Sequence, residues 1–266
     1  MSLAGKRIFI TGGSRGIGLA IALRAAQDGA LIAIAAKTAE ANPKLPGTIF
    51  SAAKEIEAAG GTALPLQCDI RDEEQIAAAI EKTAAEFGGI DILINNAGMG
   101  ITGAIEETPT DEMRNVFETN FFGAIEMMKA VLPQMRKQNS GLIINVTSIA
   151  GYMGLPFRGI YSATKGALEI VTEAIRMEVK GFGIEVTNVA PGDFATNIAS
   201  GRFHTPIFYE SPYKKNYQKN LDLMDKHVDS GSNPIQMAEA IFNIINTPKP
   251  EIHYKVGDFM QKFSII

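Results

Sequence analysis

The sequence is poor in the residues that build disulfides and metal sites. Its 266 residues include one cysteine, Cys68, and three histidines that lie far apart. A lone cysteine excludes a disulfide within the chain and fits a reducing compartment. The histidines do not have the short spacings of metal ligands, so we expect no metal site.

The chain also lacks a strong excess of one charge and a long apolar run. Its 25 basic and 29 acidic residues give a formal net charge of −4, which offers no electrostatic reason to expect a nucleic-acid partner. No apolar segment approaches the ~20 residues that a transmembrane helix needs. The first residues, MSLAGKRIFI, lead directly into an apolar run, so we expect no signal peptide and a cytoplasmic protein.

What the chain does have is a regular alternation of short apolar runs and longer periodic segments. The runs show little polar alternation, as is typical of parallel strands covered on both faces. The predicted strands are 7–11, 31–36, 62–67, 91–95, 141–146, 184–190 and 252–256. This alternation predicts an α/β fold, a doubly wound parallel sheet of about seven strands with helices on both faces, in a single domain over residues 1–266.

The periodic segments predict helices over 16–29, 51–61, 72–89, 110–135, 159–175 and 232–246. Asp72 and Gln75 stand in capping-box positions at the start of one of them. Two segments interrupt the alternation, a loop at 37–50 and a stretch at 191–233 with no clear strand. Insertions in open α/β folds usually lie at the carboxyl ends of strands, so we expect 191–233 to form a substrate lobe.

A glycine-rich segment, TGGSRGIG, joins the first strand to the first helix, with glycines at 12, 16 and 18. A tight turn there requires residues without a Cβ, and the amides at a helix N-terminus favour an anion. Taken alone the spacing is a weak signal, because a glycine-rich helix entry with no ligand looks the same.

A tyrosine and a lysine, Tyr161 and Lys165, lie four residues apart at the start of a predicted helix. This spacing puts both side chains on one helix face. A free phenol has a pKa of ~10, and a neighbouring ammonium should bring it closer to neutral pH. Such a pair suits acid–base catalysis, although separately these residues could be a core aromatic and a solvated charge.

Four segments in order, TGGSRGIG, NNAG (95–98), YSATK (161–165) and PGDFAT (191–196), resemble the short-chain dehydrogenase/reductase family in its shorter branch. The resemblance covers nearly the whole chain and implies a Rossmann-like oxidoreductase that forms a homodimer or homotetramer. It implies four catalytic residues, namely Asn120, Ser148, Tyr161 and Lys165. In this family the serine binds the substrate oxygen, the asparagine holds a relay water, and the lysine also bonds the nicotinamide ribose.

The end of the second strand indicates which coenzyme is used. NAD-dependent relatives of this fold place a carboxylate there, whereas this chain has Ala35, Ala36 and Lys37. With Arg15, Lys37 would suit the 2′-phosphate of NADP, unless both are solvated surface charges. The expected coenzyme-binding residues are Gly12, Ser14, Arg15, Gly16, Ile17, Gly18, Lys37, Asp69 (adenine), Asn96, Ala97, Gly98, Tyr161, Lys165, Pro191, Gly192 and Thr196 (carboxamide).

Apolar residues dominate the segments expected to line the substrate pocket. Arg158 and Arg202 could contact a polar group of the substrate, but we expect both to be solvated. The expected lining is Met99, Ile101, Met153, Leu155, Phe157, Phe194, Ile198, Phe203, Phe208 and Tyr209, although half of these could be ordinary core. We expect an NADP(H)-dependent oxidoreductase for a hydrophobic ketone, aldehyde or secondary alcohol, steroid- or retinoid-like, rather than for a phosphorylated or acidic metabolite. The alternatives are a non-catalytic NADP(H)-binding redox sensor, a 3-oxoacyl-carrier-protein reductase and, less well matched, a sugar-nucleotide epimerase.

Alanine is unevenly distributed, with 22 in the first 97 residues and 12 in the remaining 169. The first part resembles hydroxysteroid-dehydrogenase-like members of the family, and the part after about Met99 resembles another branch. Either the chain is recombined, by nature or by design, or tight packing of helices on the sheet favours alanine in the first half.

Overall fold

The computed structural model describes residues 2–41, 47–195, 201–229 and 231–257. In these ranges the strands are β1 (Arg7–Thr11), β2 (Leu31–Ala36), β3 (Thr62–Gln67), β4 (Ile92–Asn95), β5 (Ile101–Thr102), β6 (Gly141–Val146), β7 (Ile184–Pro191), β8 (Phe203–His204) and β9 (His253–Val256). The α-helices are α1 (Gly16–Ala26), α2 (Ile49–Ala58), α3 (Glu73–Phe87), α4 (Thr110–Phe117), α5 (Gly123–Gln138), α6 (Gly159–Val179), α7 (Lys214–Asp229) and α8 (Pro234–Ile245).

Seven strands form one parallel sheet in the order β3-β2-β1-β4-β6-β7-β9. The predicted fold class is confirmed, and the predicted strand bounds differ from the observed ones by at most one residue. The strand order reverses between β1 and β4, and in open α/β sheets such a switch point opens a crevice at the carboxyl ends of the strands.

The sheet is buried on both faces because alternate residues of its strands pack into two separate cores. Ile8 and Ile10 point to the core that includes α1, α2 and α8, whereas Phe9 points to the core that includes α3, α5 and α6. The end of α1 lies close to the start of β3. A methyl group at Gly61 would lie 2.8 Å from the Cβ of Ala26, so a side chain larger than alanine would not fit at this contact. This close approach agrees with the packing explanation of the alanine-rich half, while the ancestry of the chain stays open.

The helix expected over 110–135 is not continuous. A π-helical segment, Glu118–Phe122, separates α4 from α5, and α5 continues through Pro133 to Gln138. At α3, the Asp72 carboxylate accepts hydrogen bonds from the amides of Glu74 and Gln75, so the predicted cap is present. The reciprocal half differs, because the Gln75 side-chain oxygen accepts a hydrogen bond from the Asp69 amide instead.

The prediction that 191–233 contains no clear strand was wrong. β8 pairs in parallel with β5, and α7 follows it, although no helix was expected there. Tyr217 of α7 is buried, and its hydroxyl donates a hydrogen bond of 2.8 Å to the Thr102 carbonyl. We call residues 201–229 the lobe. Tyr217 and the β5–β8 pair together fix the lobe above the carboxyl ends of the strands.

No helix in the described ranges is long and apolar enough to cross a membrane.

Candidate active site

The turn after β1 leaves no room for side chains. Gly12 has a φ of +67°, and a methyl group there would lie 3.0 Å from the Cα of Ala97. A methyl group at Gly18 would lie 2.4 Å from the Gly12 carbonyl oxygen and 2.6 Å from the Asn96 side-chain nitrogen. Arg15, the N-cap residue of α1, has extended backbone and makes no side-chain cap. The first amides of α1 therefore have no side-chain cap among the described residues.

A second segment, the predicted NNAG motif, is fastened to this turn. The amides of Asn96 and Ala97 each donate a hydrogen bond of 3.0 Å to the Thr11 hydroxyl. The Asn96 side-chain nitrogen donates to the carbonyls of Thr11 and Gly12. The side chain of Asn96 thus holds the two loops together, so any contact it makes with a ligand is additional to this role.

A cavity of about 420 Å³, which we call the glycine-loop cavity, runs from these two loops to the start of α6. Of the residues expected to bind a coenzyme, it is lined by Gly12, Ser14, Arg15, Gly16, Ile17, Lys37, Asp69, Asn96, Ala97, Gly98, Tyr161, Lys165 and Pro191. Gly18 lies behind the turn, Gly192 lines a second cavity, and Thr196 lies outside the described residues. One continuous cavity with backbone amides at its centre fits an extended dinucleotide.

Three cations line the end of this cavity near Asp69. Arg15 is half-buried and donates a hydrogen bond of 2.8 Å to the Gly47 carbonyl, and burial lowers the pKa of its guanidinium. Lys37 is exposed. Arg71, which the sequence analysis missed, binds both carboxylate oxygens of Asp69. That interaction with Arg71, with a smaller influence from Lys37, holds the pKa of Asp69 below its usual range.

At the other end, Lys165 is buried, with 4% of the residue exposed. Its Nζ donates a hydrogen bond of 2.9 Å to the Val146 carbonyl. Burial lowers the pKa of Lys165 to about 8, while the carboxylate of Glu169, one turn further along α6, acts in the opposite direction. The ammonium is therefore the main form at neutral pH and is lost as the pH rises through about 8.

Tyr161 does not have the lowered pKa that the sequence analysis expected. Burial raises the pKa of its phenol, and the hydrogen bond with Ser148 and the nearby guanidiniums of Arg158 and Arg202 lower it only in part. Lys165 directs its ammonium to the Val146 carbonyl instead. At neutral pH the phenol is protonated and in contact with the Ser148 hydroxyl, which is the form a proton donor requires.

Asn120 lies in the π-helical segment, and its side chain makes three of the four hydrogen bonds open to an amide. Its Oδ1 accepts a hydrogen bond from the Met99 amide, and its Nδ2 donates to the Met99 carbonyl and the Thr164 hydroxyl. A methyl group at Gly98 would lie 3.2 Å from this Oδ1 and 3.4 Å from the Nζ of Lys165. Asn120 and Lys165 therefore approach each other at Gly98, and the polar partners expected for a buried asparagine are present.

A second cavity, of about 330 Å³, lies between Tyr161 and the lobe, and we call it the lobe cavity. Ile101, Met153, Leu155 and Phe194 line it as expected, together with Leu223 and Met224 of α7. Other expectations were wrong. Met99 lines the glycine-loop cavity. Phe157 packs on Tyr213 and Tyr217, Phe203 belongs to β8 and does not line the lobe cavity, and Phe208 and Tyr209 are exposed. Ile198 lies outside the described residues.

Arg158 and Arg202, expected to be solvated, are half-buried and line the lobe cavity. The positive charges of both side chains lower the pKa of the Tyr161 phenol. The sequence contained a signal for Arg158, which lies only three positions before the tyrosine.

Comparison with known proteins supports the same assignment as the geometry. A sequence profile described as short chain dehydrogenase matches residues 6–206. The chain belongs to the short-chain dehydrogenase family. It is therefore an oxidoreductase of a family that uses a nicotinamide coenzyme, and the resemblance stated from the four motifs is confirmed.

Two curated relatives and one solved structure illustrate the range of the family. The chain is 40% identical to 3-ketodihydrosphingosine reductase of Bacteroides thetaiotaomicron over 197 residues, 74% of this chain and 73% of that protein. It is 48% identical to hydroxysteroid dehydrogenase-like protein 2 of Bos taurus over 182 residues, 67% of this chain but only 43% of that protein. A Burkholderia phymatum short-chain dehydrogenase/reductase, solved in complex with NAD, superposes with a TM-score of 0.82 at 25% identity, covering 95% of this chain and 90% of that one.

Proposed function

We propose that this protein is an NADP(H)-dependent oxidoreductase that interconverts the carbonyl and the secondary alcohol of a largely apolar substrate. The observation that carries the proposal is the position of Tyr161. It lines both cavities, Ser148 lies close enough to lower the pKa of its phenol, and Lys165 follows it one turn along α6. A proton donor at the junction of a dinucleotide-shaped cavity and a substrate-sized cavity suits carbonyl reduction.

Reduction of a carbonyl adds a hydride to carbon and a proton to oxygen, and NADPH supplies the hydride when bound. Tyr161 would donate the proton to the carbonyl oxygen, since burial keeps its phenol protonated at neutral pH. Ser148 would hydrogen-bond the same oxygen as negative charge develops on it. Lys165 would hold the nicotinamide ribose and pass a proton toward Tyr161, and Asn120, close to its Nζ, would anchor the water of that relay.

The remaining coenzyme contacts follow the walls of the glycine-loop cavity. The first amides of α1, with Ser14, Gly16 and Ile17, would face the pyrophosphate. Asp69 would reach the adenine, although Arg71 already occupies both of its oxygens. Gly192 and Thr196 would lie near the nicotinamide carboxamide, as the family resemblance implies.

The preference for NADP over NAD rests on the cations at the Asp69 end of the glycine-loop cavity. β2 ends in Ala35 and Ala36, and Arg15 and Lys37 line the cavity beside them. A 2′-phosphate carries nearly two negative charges and would bind between them. We expect the Arg15→Gln/Lys37→Gln variant to bind NADPH about 10- to 100-fold more weakly, with little change for NADH.

Titration of both coenzymes by fluorescence measures this preference directly. The control is Lys54→Gln, which removes an exposed cation from α2, outside the residues that line the cavity. Equal losses for NADPH and NADH in the double variant, or no loss for either, would contradict the NADP proposal.

The substrate class is supported by the apolar part of the lobe cavity and by one relative. Met153, Leu155 and Met224 give this cavity an adaptable apolar wall. The relative from Bacteroides thetaiotaomicron is named for a ketone reduction. We therefore favour a hydrophobic ketone or aldehyde over a compact polar metabolite.

The proposed activity is tested by following NADPH oxidation with a panel of straight-chain and cyclic ketones and aldehydes, with NADH in parallel. Turnover that prefers NADPH is the expected result. Tight NADPH binding without turnover of any member of the panel would favour the non-catalytic sensor instead.

Association of two or four copies is part of the proposal. α6 exposes Ile170 and Met177, which are 65% and 73% accessible, and the family resemblance implies an interface on the helices that follow β4 and β6. Light scattering of the purified protein, compared with an Ile170→Glu/Met177→Glu variant, tests whether this face holds copies together.

A further inference from the structure

An arginine lies directly against the proposed proton donor. The Cζ of Arg158 is 5.8 Å from the centre of the Tyr161 ring, and Arg158 immediately precedes the first residue of α6. Its side chain is half-buried and lines the lobe cavity together with Ser148 and Tyr161. It is therefore within reach of a substrate whose carbonyl is bound by these two hydroxyls.

The backbone that presents Arg158 is strained and held from several sides. The preceding residue, Phe157, has a φ of +61°, which is unfavourable for a bulky side chain. Its carbonyl accepts a hydrogen bond of 2.9 Å from the Gly103 amide, and its ring centre is 5.2 Å from that of Tyr217. Strain that is maintained by surrounding contacts is typical of functional sites, and here these contacts hold the residue that precedes Arg158.

The charge of Arg158 is not balanced by a carboxylate. Within the described part of the chain no acidic side chain forms an ion pair with it, whereas five other arginines each have an acidic partner, namely Arg7, Arg24, Arg71, Arg114 and Arg176. Of the charged residues that the structure describes, Arg202 and Asp193 also line the lobe cavity. The side chains lining it therefore carry two positive charges and one negative charge.

Most of the remaining lobe cavity is apolar, apart from Thr102 and Asn220. Met153, Leu155 and Met224 form its wall, and Leu223, which is 52% exposed, lies at its edge toward solvent. A ligand that suits both the arginine side and the apolar wall of this cavity has an anionic group near its carbonyl and an alkyl chain beyond it. A carboxylate is the anion whose two oxygens match the fork of a guanidinium.

We propose that Arg158 binds a carboxylate of the substrate, and that the substrate class is an oxo acid, or the matching hydroxy acid, with an apolar chain. This inference rests on the proposed oxidoreductase function and narrows it. Arg158 orients the chain so that the carbonyl lies at Tyr161 and Ser148.

The kinetic test compares 4-oxononanoate with its methyl ester, which removes the charge and keeps the chain. The wild-type protein with NADPH should have the higher kcat/KM for the acid. In Arg158→Gln the ratio of kcat/KM for acid over ester should fall about 10- to 100-fold, and Arg158→Lys should keep part of it. The exposed Arg114→Gln is the charge-matched control and should leave the ratio unchanged. An equal ratio in wild type and Arg158→Gln would overturn the proposal.

A binding experiment separates this proposal from the activity itself. Calorimetry with NADP-saturated protein measures octanoate against 1-octanol, neither of which offers a carbonyl to reduce. Octanoate binding that is lost in Arg158→Gln supports the carboxylate subsite even if no ketone is turned over, in which case only the proposed activity fails. Turnover of ketones together with octanoate binding that Arg158→Gln does not weaken would leave the activity standing and overturn the subsite.

Discussion

The two cavities that meet at Tyr161 are built in different ways. The glycine-loop cavity lies at the ends of parallel strands and at the uncapped start of α1, and Gly12, Gly16 and Gly98 are part of its lining. The lobe cavity is walled by side chains from the loop before α6 and from α7. Strand pairing in the sheet fixes the residues around the first cavity. The residues around the second are fixed by tertiary contacts, such as the hydrogen bond from the Tyr217 hydroxyl to the Thr102 carbonyl.

This difference indicates which residues determine coenzyme binding and which determine substrate choice. A cavity formed by backbone depends on the absence of side chains at a few positions and can serve many members of a fold unchanged. A cavity formed by side chains changes its preference with each substitution, because charge and shape there belong to individual residues. Coenzyme binding and substrate choice should therefore respond to different mutations.

The largest effect is expected from Tyr161→Phe, which removes one hydroxyl at the junction of the cavities. Turnover should fall about 10²- to 10⁴-fold, the usual contribution of general acid catalysis. NADPH affinity should change far less than turnover, because Tyr161 is one of many residues that line the glycine-loop cavity. Steady-state kinetics and fluorescence titration measure the two quantities. A parallel loss of both would show that the cavities are not separable at Tyr161.

A methyl group behind the glycine turn should damage the first cavity alone. In Gly18→Ala the new Cβ would overlap the Gly12 carbonyl, and overpacking of this kind costs about 1–3 kcal/mol. We expect about 10- to 100-fold weaker NADPH binding, measured by titration.

The matched control for Gly18 is Gly154→Ala, in the loop beside the lobe cavity. A methyl group at Gly154 would meet no atom within 4 Å, so coenzyme binding and stability should be unchanged. Equal behaviour of the two alanine variants would contradict the steric requirement at Gly18.

The pH dependence of coenzyme binding should report Lys165. Its folded pKa of about 8 lies below the ordinary lysine value of 10.5, so the ammonium is present below about pH 8 and is lost as the pH rises through that value. If the ammonium holds the nicotinamide ribose, NADPH affinity should be constant near neutrality and decrease up to about tenfold per pH unit above 8. Titrations from neutral to alkaline pH test this.

Glu169→Gln sharpens the same measurement. Removing this carboxylate takes away an influence that raises the Lys165 pKa, so the decrease in affinity should begin at lower pH. Glu173→Gln is the control, since Glu173 lies on the same helix and contacts His253 but does not act on Lys165. A profile that is independent of Glu169 would argue that another group titrates.

A smaller effect is expected in the lobe. Tyr217→Phe removes the hydrogen bonds to Thr102, which should lower the unfolding free energy by about 1 kcal/mol. KM for the substrate should rise several-fold while coenzyme affinity is unchanged. Tyr209→Phe, at a tyrosine that is 88% exposed, is the control. A change in NADPH affinity for Tyr217→Phe would show that the lobe also shapes the first cavity.

Much of the fold could be predicted because its signals are local. The strands are short apolar runs bounded by turns, and the glycine turn shows its steric requirement in the sequence itself. α7 was missed because its periodic segment is rich in lysine, and only tertiary contacts of Tyr217 and Met224 reveal a buried face.

The identity of the site residues was easier to predict than their ionisation and burial. Most of the expected coenzyme-binding residues line one cavity, because strand ends bring them to the same edge of the sheet. The direction of the Tyr161 pKa was wrong because burial, which outweighs the polar neighbours, has no signature in a local motif. The spacing of Arg158 before Tyr161 indicated that it lies near the site, but its burial depends on a strained turn. The burial of Arg202 depends on how the lobe packs, which a local motif does not show.

The most direct test of the central claim is a crystal structure of the protein with NADPH bound. The account predicts the pyrophosphate at the start of α1, the 2′-phosphate between Arg15 and Lys37, and the nicotinamide ribose at Lys165 beside Tyr161. A dinucleotide bound elsewhere, or with its nicotinamide remote from Tyr161, would contradict it.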